Sequence, residues 1–190
     1  MKTIKISLKI FLFLTILTGI IYPLLITGIS QLIFPSKANG SLIVQNDKVL
    51  GSELIGQPFD NARYFTPRPS ARGYNPLPSG GSNLGLTSRK LQELVAGRKR
   101  QFIEFNHLNS LTDIPSEMVF TSASGLDPHI SPKAALLQVE RIAEVRNFNT
   151  IQKQQLLQGI DDLTETPQFL CLGNKRVNVL LLNLYADRIK

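Results

Sequence analysis

Four side chains with reactive chemistry fall within eight positions of one another, Ser124, Asp127, His129 and Ser131, inside the string Ser-Ala-Ser-Gly-Leu-Asp-Pro-His-Ile-Ser-Pro that runs from Ser122 to Pro132. A serine, a histidine and a carboxylate are the parts of a hydrolytic triad, in which the base takes the nucleophile's proton and the acid orients the base. A membrane-anchored extracytoplasmic hydrolase using Ser124 or Ser131 with His129 and Asp127 is therefore the rival reading of this stretch. Closeness along the chain does not build a triad. A metal site needs three or four ligands, and the only other histidine is His107. The plainer assignment is structural: Asp127 and Ser131 fix the loop and cap the helix that follows, leaving His129 as a hydrogen-bonding or interface residue.

A second stretch, Ser79-Gly80-Gly81-Ser82-Asn83-Leu84-Gly85, could present backbone amides and hydroxyls to an anion, as phosphate-binding nests do. Two glycines beside a serine also make an ordinary tight turn, which is the simpler account. No Gly-rich loop ending in Lys-Ser or Lys-Thr and no Asp-Lys-Thr-Gly string occurs, so the chain carries neither a Walker loop nor a P-type phosphorylation motif.

The elements that must position these loops are short and mixed. Ser41 to Val44 and Lys48 to Leu54 flank Asn46-Asp47 as a hairpin would. Five prolines between Gln57 and Gly85 exclude regular structure there, and Phe59, Tyr64, Phe65 and Tyr74 argue against plain disorder. Ser88 to about Asn106 reads as an amphipathic helix, with Leu91, Leu94, Val95, Phe102 and Phe105 inside and Arg89, Lys90, Arg98 and Lys99 outside. Pro115 opens a β-like run from Met118 to Thr121. Ser131 before Pro132 starts a helix to about Asn147, with Ala135, Val139, Ile142 and Ala143 on one face. Gln138 and Arg141, one turn apart, then lie beside the Asp127 loop. Asn149 with Gln152 starts another helix ending near Leu163. Phe169 to Leu172, a Gly173-Asn174 turn and Val177 to Leu184 read as a closing hairpin, although Val179 to Leu184 is apolar enough for helix. Asn178 and Asn183 bracket that run and would satisfy backbone groups in the core. Lone Cys171, between two leucines, reads as buried, and no intrachain disulfide is possible.

From Ile10 to Phe34 there is no Asp, Glu, Lys or Arg. That is about 37 Å of helix, enough to cross a hydrocarbon core of about 30 Å. Pro23 removes a hydrogen bond in mid-span and should kink it, and Gly19 and Gly28 would allow close approach by another helix. The run is too long for a secretory signal, although Lys2, Lys5 and Lys9 resemble a basic leader and Ser36-Lys37-Ala38 a cleavage site. Three lysines ahead of the span place the N-terminus in the cytoplasm and the remainder outside it. The layout is a basic tail over 1–9, a transmembrane helix over 10–34 and one compact α+β domain over 35–190. The net charge of +7 includes +3 from the tail. The rest is dispersed apart from Arg98-Lys99-Arg100, which suits a solvated helix face rather than nucleic acid.

The Ser122 to Pro132 string carries a resemblance, together with Gly-Gln-Pro-Phe from Gly56 to Phe59, Tyr64-Phe65, Arg68-Pro69-Ser70-Ala71, Tyr74, the Ser79 to Gly85 stretch, Gln138, Arg141, Val177-Asn178-Val179-Leu180 and Leu182-Asn183. Together they closely resemble the KdpC family, the C subunits of the bacterial high-affinity potassium-transporting Kdp P-type ATPase, over essentially the whole chain. Leu86 stands where that family often has proline. The resemblance implies an accessory subunit in the bacterial plasma (inner) membrane, with no catalytic residues and no metal of its own. Its partners would be the pore-forming and ATP-hydrolysing subunits, with a small fourth membrane subunit possible, and the lipid bilayer. It also implies a catalytic chaperone that raises the pump subunit's ATP affinity. Ser79 to Asn83, Gly125, Asp127, His129, Ser131, Gln138 and Arg141 are the expected nucleotide or subunit-docking positions. An extracytoplasmic domain cannot touch cytoplasmic ATP, so ATP would act through the complex.

Overall fold

The computed structural model describes residues 2–169 and 171–189 and separates into two compact units, Met1–Leu50 and Gly51–Lys190. The first begins with a continuous helix from Lys2 to Ile33, 32 residues long and apolar enough to cross a membrane. Three segments compose it: α1 (Lys2–Ile16), a π-helical turn (Leu17–Ile21) and α2 (Tyr22–Ile33). The π turn sits where Pro23 requires it. In an unbroken α-helix the Pro23 ring would press on the carbonyl of Gly19, and one extra residue in the turn relieves that clash. Tyr22 N–H accordingly donates to the Leu17 carbonyl, five residues back. Thr18 and Thr27 turn their hydroxyls onto the carbonyls of Leu14 and Pro23, at 2.7 and 2.8 Å, so neither hydroxyl is left bare on an apolar helix. The expected disturbance at Pro23 is thus a π turn within one continuous helix.

Phe34 leaves helical geometry immediately before Pro35, as a residue preceding proline should. After α3 (Pro35–Ala38), strands β1 (Leu42–Gln45) and β2 (Lys48–Ser52) pair across Asn46-Asp47. Both turn residues have positive φ, 50° and 59°, the requirement of a tight hairpin turn whose twist matches the strands.

In the second unit residues 53–87 form no helix or strand, and α4 (Arg89–Phe105) follows, with Ser88 accepting from Leu91 N–H. Leu91 and Phe102 are buried. Arg98 is not outside as expected: it is half-buried, donates to the Val119 carbonyl at 3.0 Å, and burial pulls its pKa down. Met118 to Thr121 is not a strand either. A single 3-10 turn over Ser116–Met118 buries Met118 and Val119 against the core.

A small antiparallel sheet has β5 (Arg176–Asn178) at its centre, between β3 (His129–Ile130) and β4 (Thr164–Glu165). His129 faces Asn178 and Ile130 faces Val177 on one side, and Thr164 faces Val177 on the other. Of the expected closing hairpin, Val177 and Asn178 are strand but pair with β3 and β4, Leu172 bridges Gln168 instead, and Val179–Ala186 is helix α8. Leu170 lies outside the described residues. Cys171 is exposed, beside exposed Phe169 and Leu172, because the bridge from Gln168 to Leu172 pairs this stretch with itself and not with a core strand.

The helix opened by Ser131 is two helices, α5 (Pro132–Leu136) and α6 (Val139–Val145). Gln138 causes the break by sending its side-chain Nε2 to the Ala134 carbonyl, while its own N–H moves to Ala135. Ala135, Val139, Ile142 and Ala143 are nevertheless all buried, as the periodicity required. Asn149 and Gln152 form the expected capping box of α7 (Thr150–Asp162).

The proline-rich stretch is ordered by side chains that replace the missing backbone ladder. Asn183 accepts from Phe65 N–H at 2.7 Å and donates back to the Phe65 carbonyl at 3.0 Å, as a paired strand residue would. Gln138 does the same for Thr66, at 2.8 and 3.2 Å. Arg141 donates to the carbonyls of Ala62 and Tyr64, to Asn106 Oδ1 and to Gln138 Oε1, with its guanidinium 4.4 Å over the Phe105 ring. Phe65 is thereby held fully buried in the core. Replacing Arg141 with Leu would strand these acceptors without donors, at about 1–3 kcal/mol for a group left unsatisfied. We expect R141L to lose about 3 kcal/mol of unfolding free energy, read by denaturant titration of the full chain in detergent, with R141K recovering only part of it because an ammonium has no planar fork. Unchanged midpoints would mean that the stretch is held by other contacts.

Candidate functional site

The Ser122 to Ser131 loop is a hub onto which three distant segments of the second unit are tied by their backbones. Gly56 N–H donates to the Leu126 carbonyl at 2.7 Å, Gly80 N–H to Ser124 at 2.9 Å, and Val179 N–H to Pro128 at 2.9 Å. Ser70 adds its hydroxyl, donating to the Gly125 carbonyl at 2.7 Å. Close approach explains two glycines. A Cβ on Gly56 would stand 2.7 Å from the Asp127 carbonyl oxygen, and Gly125, at φ +72°, would bring one to 3.0 Å from that of Gly80. Gly81 is nearly as tight, with a Cβ 3.3 Å from the Ala123 oxygen.

The structure therefore brings Gly80 and Gly81 against Gly125 and the loop that holds Asp127, His129 and Ser131. The Gly80 amide, one candidate donor of an anion nest, is spent on Ser124. Ser79 and Asn83 are exposed and Ser82 half-buried. Gln138 and Arg141 are fully buried and do not face this loop. They clamp the stretch from Ala62 to Thr66 instead, because the main-chain groups of that stretch are the partners that their buried polar ends find. Gly19, Pro23 and Gly28 belong to the other unit, on the long helix.

Within the hub each reactive side chain has a structural partner. Ser131 Oγ accepts from Ala134 N–H at 3.1 Å and so caps α5, while Ser131 N–H donates to Glu117 Oε1 at 3.3 Å. Ser124 Oγ accepts from Leu126 N–H at 3.1 Å. Asp127 Oδ1 accepts from His129 N–H at 3.0 Å and lies 3.4 Å from His129 Nδ1. Its Oδ2 takes Arg68 Nη1 at 2.7 Å. Burial pushes the Asp127 carboxyl up, but the hydrogen bonds from His129 and the bond and charge of Arg68 outweigh it and bring the pKa down to about 2. These contacts build an acid, a base and two serines into a loop brace, with the Ser131 oxygen capping α5 and the Ser124 oxygen closing a turn onto Leu126.

Arg68 forms one wall of a cleft of about 520 Å³ that also meets Glu117, Asp127, His129, Ser131 and Lys175. A second cleft of about 540 Å³ lies over the proline-rich stretch, between Pro58, Pro67, Pro69 and Tyr74 on one side and Arg98, Phe102 and Phe105 on the other. Burial, and after it Asp60, pushes the Tyr74 phenol far up, so it stays protonated and donates to the Arg68 carbonyl. Ser70, Asn106 and Arg146 are the members of this framework without a local signal in the sequence. Arg146 binds the Arg63 and Ala186 carbonyls and Asp187, at separations of 40 residues or more that no motif spans.

Residues 4–188 match the family described as "KdpC: K+-transporting ATPase, c chain". Relatives named potassium-transporting ATPase KdpC subunit align over nearly their full lengths. The protein of Geobacter metallireducens is 45% identical over 193 residues, covering 100% of this chain and 99% of the relative. That of Trichlorobacter lovleyi is 47% identical with the same coverage, and that of Photorhabdus laumondii is 45% identical over 96% of this chain and 94% of its own.

The depressed Asp127 pKa sets the sign of an acid dependence. Its contribution is complete above the unfolded carboxyl value of about 4 and disappears as pH falls through about 2. D127N should lower stability at neutral pH by about 2 kcal/mol and flatten the stability profile between about pH 4 and 2. Circular dichroism of the full chain against denaturant at stepped pH checks it, and parallel acid limbs in the two proteins would contradict it.

Proposed function

The chain belongs to the KdpC family of potassium-transporting ATPase subunits, and on that premise we propose that it is a non-catalytic accessory subunit that assembles or stabilises the pore-forming and ATP-hydrolysing subunits of an ATP-driven potassium uptake complex. The observation that carries this reading is the use made of Ser124, Asp127, His129 and Ser131. Each is committed to bracing a loop, and the product is a shaped surface with two clefts. The helix from Lys2 to Ile33 is the anchor, lodged in the bacterial inner membrane against partner helices. Its lysines keep the N-terminus cytoplasmic and leave the α+β domain outside.

With the domain on that side, any effect on ATP travels through the membrane helices. The chain then acts as a catalytic chaperone, raising the pump subunit's apparent ATP affinity without touching nucleotide. Ser79 to Asn83, Asp127, His129 and Ser131 present the surface that meets the partners, while Gly125, which is buried beneath Gly80 and Ser70, joins Gln138 and Arg141 in keeping it in shape from within.

Tagged pore and pump subunits should retain the full chain through purification and lose most of it when residues 1–34 are exchanged for an unrelated anchor. The complex carrying H129A should keep its kcat for ATP, whereas an esterase or peptidase activity of the purified chain that vanished in H129A would defeat the subunit reading. Protease added to intact spheroplasts should digest the domain, and a domain protected there would reverse the assigned orientation.

A further inference from the structure

The π turn leaves the Thr18 carbonyl of the long helix without its helical donors. In an α-helical register the Thr18 carbonyl would receive Tyr22 N–H, but that group donates to Leu17 instead. In the π register the donor would be residue 23, and Pro23 has no N–H. The two hydroxyls that bond to backbone nearby are also directed elsewhere, Thr18 Oγ1 to Leu14 and Thr27 Oγ1 to Pro23. Thr18 lies about 12 Å into an apolar run of about 37 Å, inside the hydrocarbon region, where bulk water does not reach to supply the missing bond. Gly19 follows it, and a Cβ built there would meet nothing within 4 Å, so the backbone beside this carbonyl is open to a neighbour.

We propose that the π turn is a docking point for a partner's transmembrane helix, which donates a hydrogen bond from a neutral side chain, a hydroxyl or a carboxamide, to the Thr18 carbonyl across the gap left by Gly19. The inference rests on the reading that this helix packs against partner helices, and it specifies the chemistry at the contact. A charged donor at this depth would need its own compensation, whereas Ser, Thr, Asn or Gln side chains bond between helices at modest desolvation cost. The exposed apolar residues around the turn, Ile20 and Ile21, would pack by van der Waals contact and add no polarity. Specificity of register therefore comes from one acceptor at one depth.

Thr-Gly occurs only at Thr18-Gly19 and Thr27-Gly28, so labelling with carbonyl-¹³C threonine and ¹⁵N glycine isolates two carbonyls in a solid-state N–CO correlation spectrum. The full chain would be measured reconstituted alone in lipid and again with its pore and pump subunits. The Thr18 carbonyl should shift downfield when the partners are present, while the Thr27 carbonyl serves as internal reference. An unmoved Thr18 signal in a complex shown to contain the chain overturns the contact and leaves the subunit reading intact. The same downfield position in the chain alone also overturns it, by assigning the donor to a second copy or to trapped water. Failure of the chain to join the complex at all would strike the subunit reading instead. P23A gives the second measurement: its restored N–H can supply the acceptor from within, so the variant should leave the complex at several-fold lower detergent concentration than the wild type. Equal retention counts against the proposal.

Discussion

A buried guanidinium with no carboxylate beside it among the described residues fixes the irregular stretch of the second unit. Arg141 is 1% exposed, and its hydrogen-bond partners are two main-chain carbonyls and the side-chain oxygens of Asn106 and Gln138, with the face of Phe105 beneath it. Burial brings its pKa down to about 10, which leaves it charged near neutral pH. Taking such a charge out of water is expensive, and aligned carbonyl dipoles repay it only if every one is in place. The cost of misplacement is what gives the arrangement its directing power. Any path for residues 62–66 other than the observed one would leave a buried cation short of acceptors.

The clamp also answers how a stretch with five prolines between Gln57 and Gly85 can be part of a packed structure. Pro67 and Pro69 have no amide to donate to a ladder, so a strand there would be interrupted at alternate positions. Gln138 and Asn183 need only the two residues between those interruptions and the tyrosine, Phe65 and Thr66, and bind both main-chain groups of each. With these fixed, Arg68 reaches Asp127 and Ser70 reaches Gly125, and the hub loop inherits its position from the core. The clefts on either side are consequences of this chain of contacts.

The local features of the fold were legible in the sequence and the long-range ones were not. Ser88, Ser131 and Asn149 each sit directly before the helix they cap, because a cap acts over two or three residues and leaves its mark in that window. The turn at Asn46-Asp47 was readable for the same reason. The break at Gln138 was not, since the pattern of buried residues runs straight through it and only a bond from Gln138 to Thr66, 72 residues away, gives the side chain a reason to turn inward. Cys171 read as buried from its two leucine neighbours, yet the bridge between Gln168 and Leu172 puts it outside. In the candidate site the hub string was visible as a cluster of reactive types and the Ser131 cap was readable within it, but the placement of Gly56 and Gly80 against it and the reach of Arg68 to Asp127 depend on tertiary pairing. Sequence spacing showed which residues share a loop. It showed the cap at Ser131 and the loop-fixing role of Asp127, but not the distant partners that the loop would meet.

Both units contain backbone that cannot satisfy itself, and they resolve the problem differently. In the second unit the irregular stretch is served by resident amides and a guanidinium, so the surface it supports exists before any partner arrives and little ordering remains to be done on contact. In the long helix the proline removes a donor, and the threonine hydroxyls nearest to it serve other carbonyls. Water, which would serve an exposed loop, is absent from hydrocarbon. The apolar span therefore has a backbone acceptor short of a donor, whereas the irregular backbone from Ala62 to Thr66 is served from within the domain. In the assembly proposed above, the drive to associate comes from within the bilayer, and the domain contributes a preset shape rather than a fold that forms on binding.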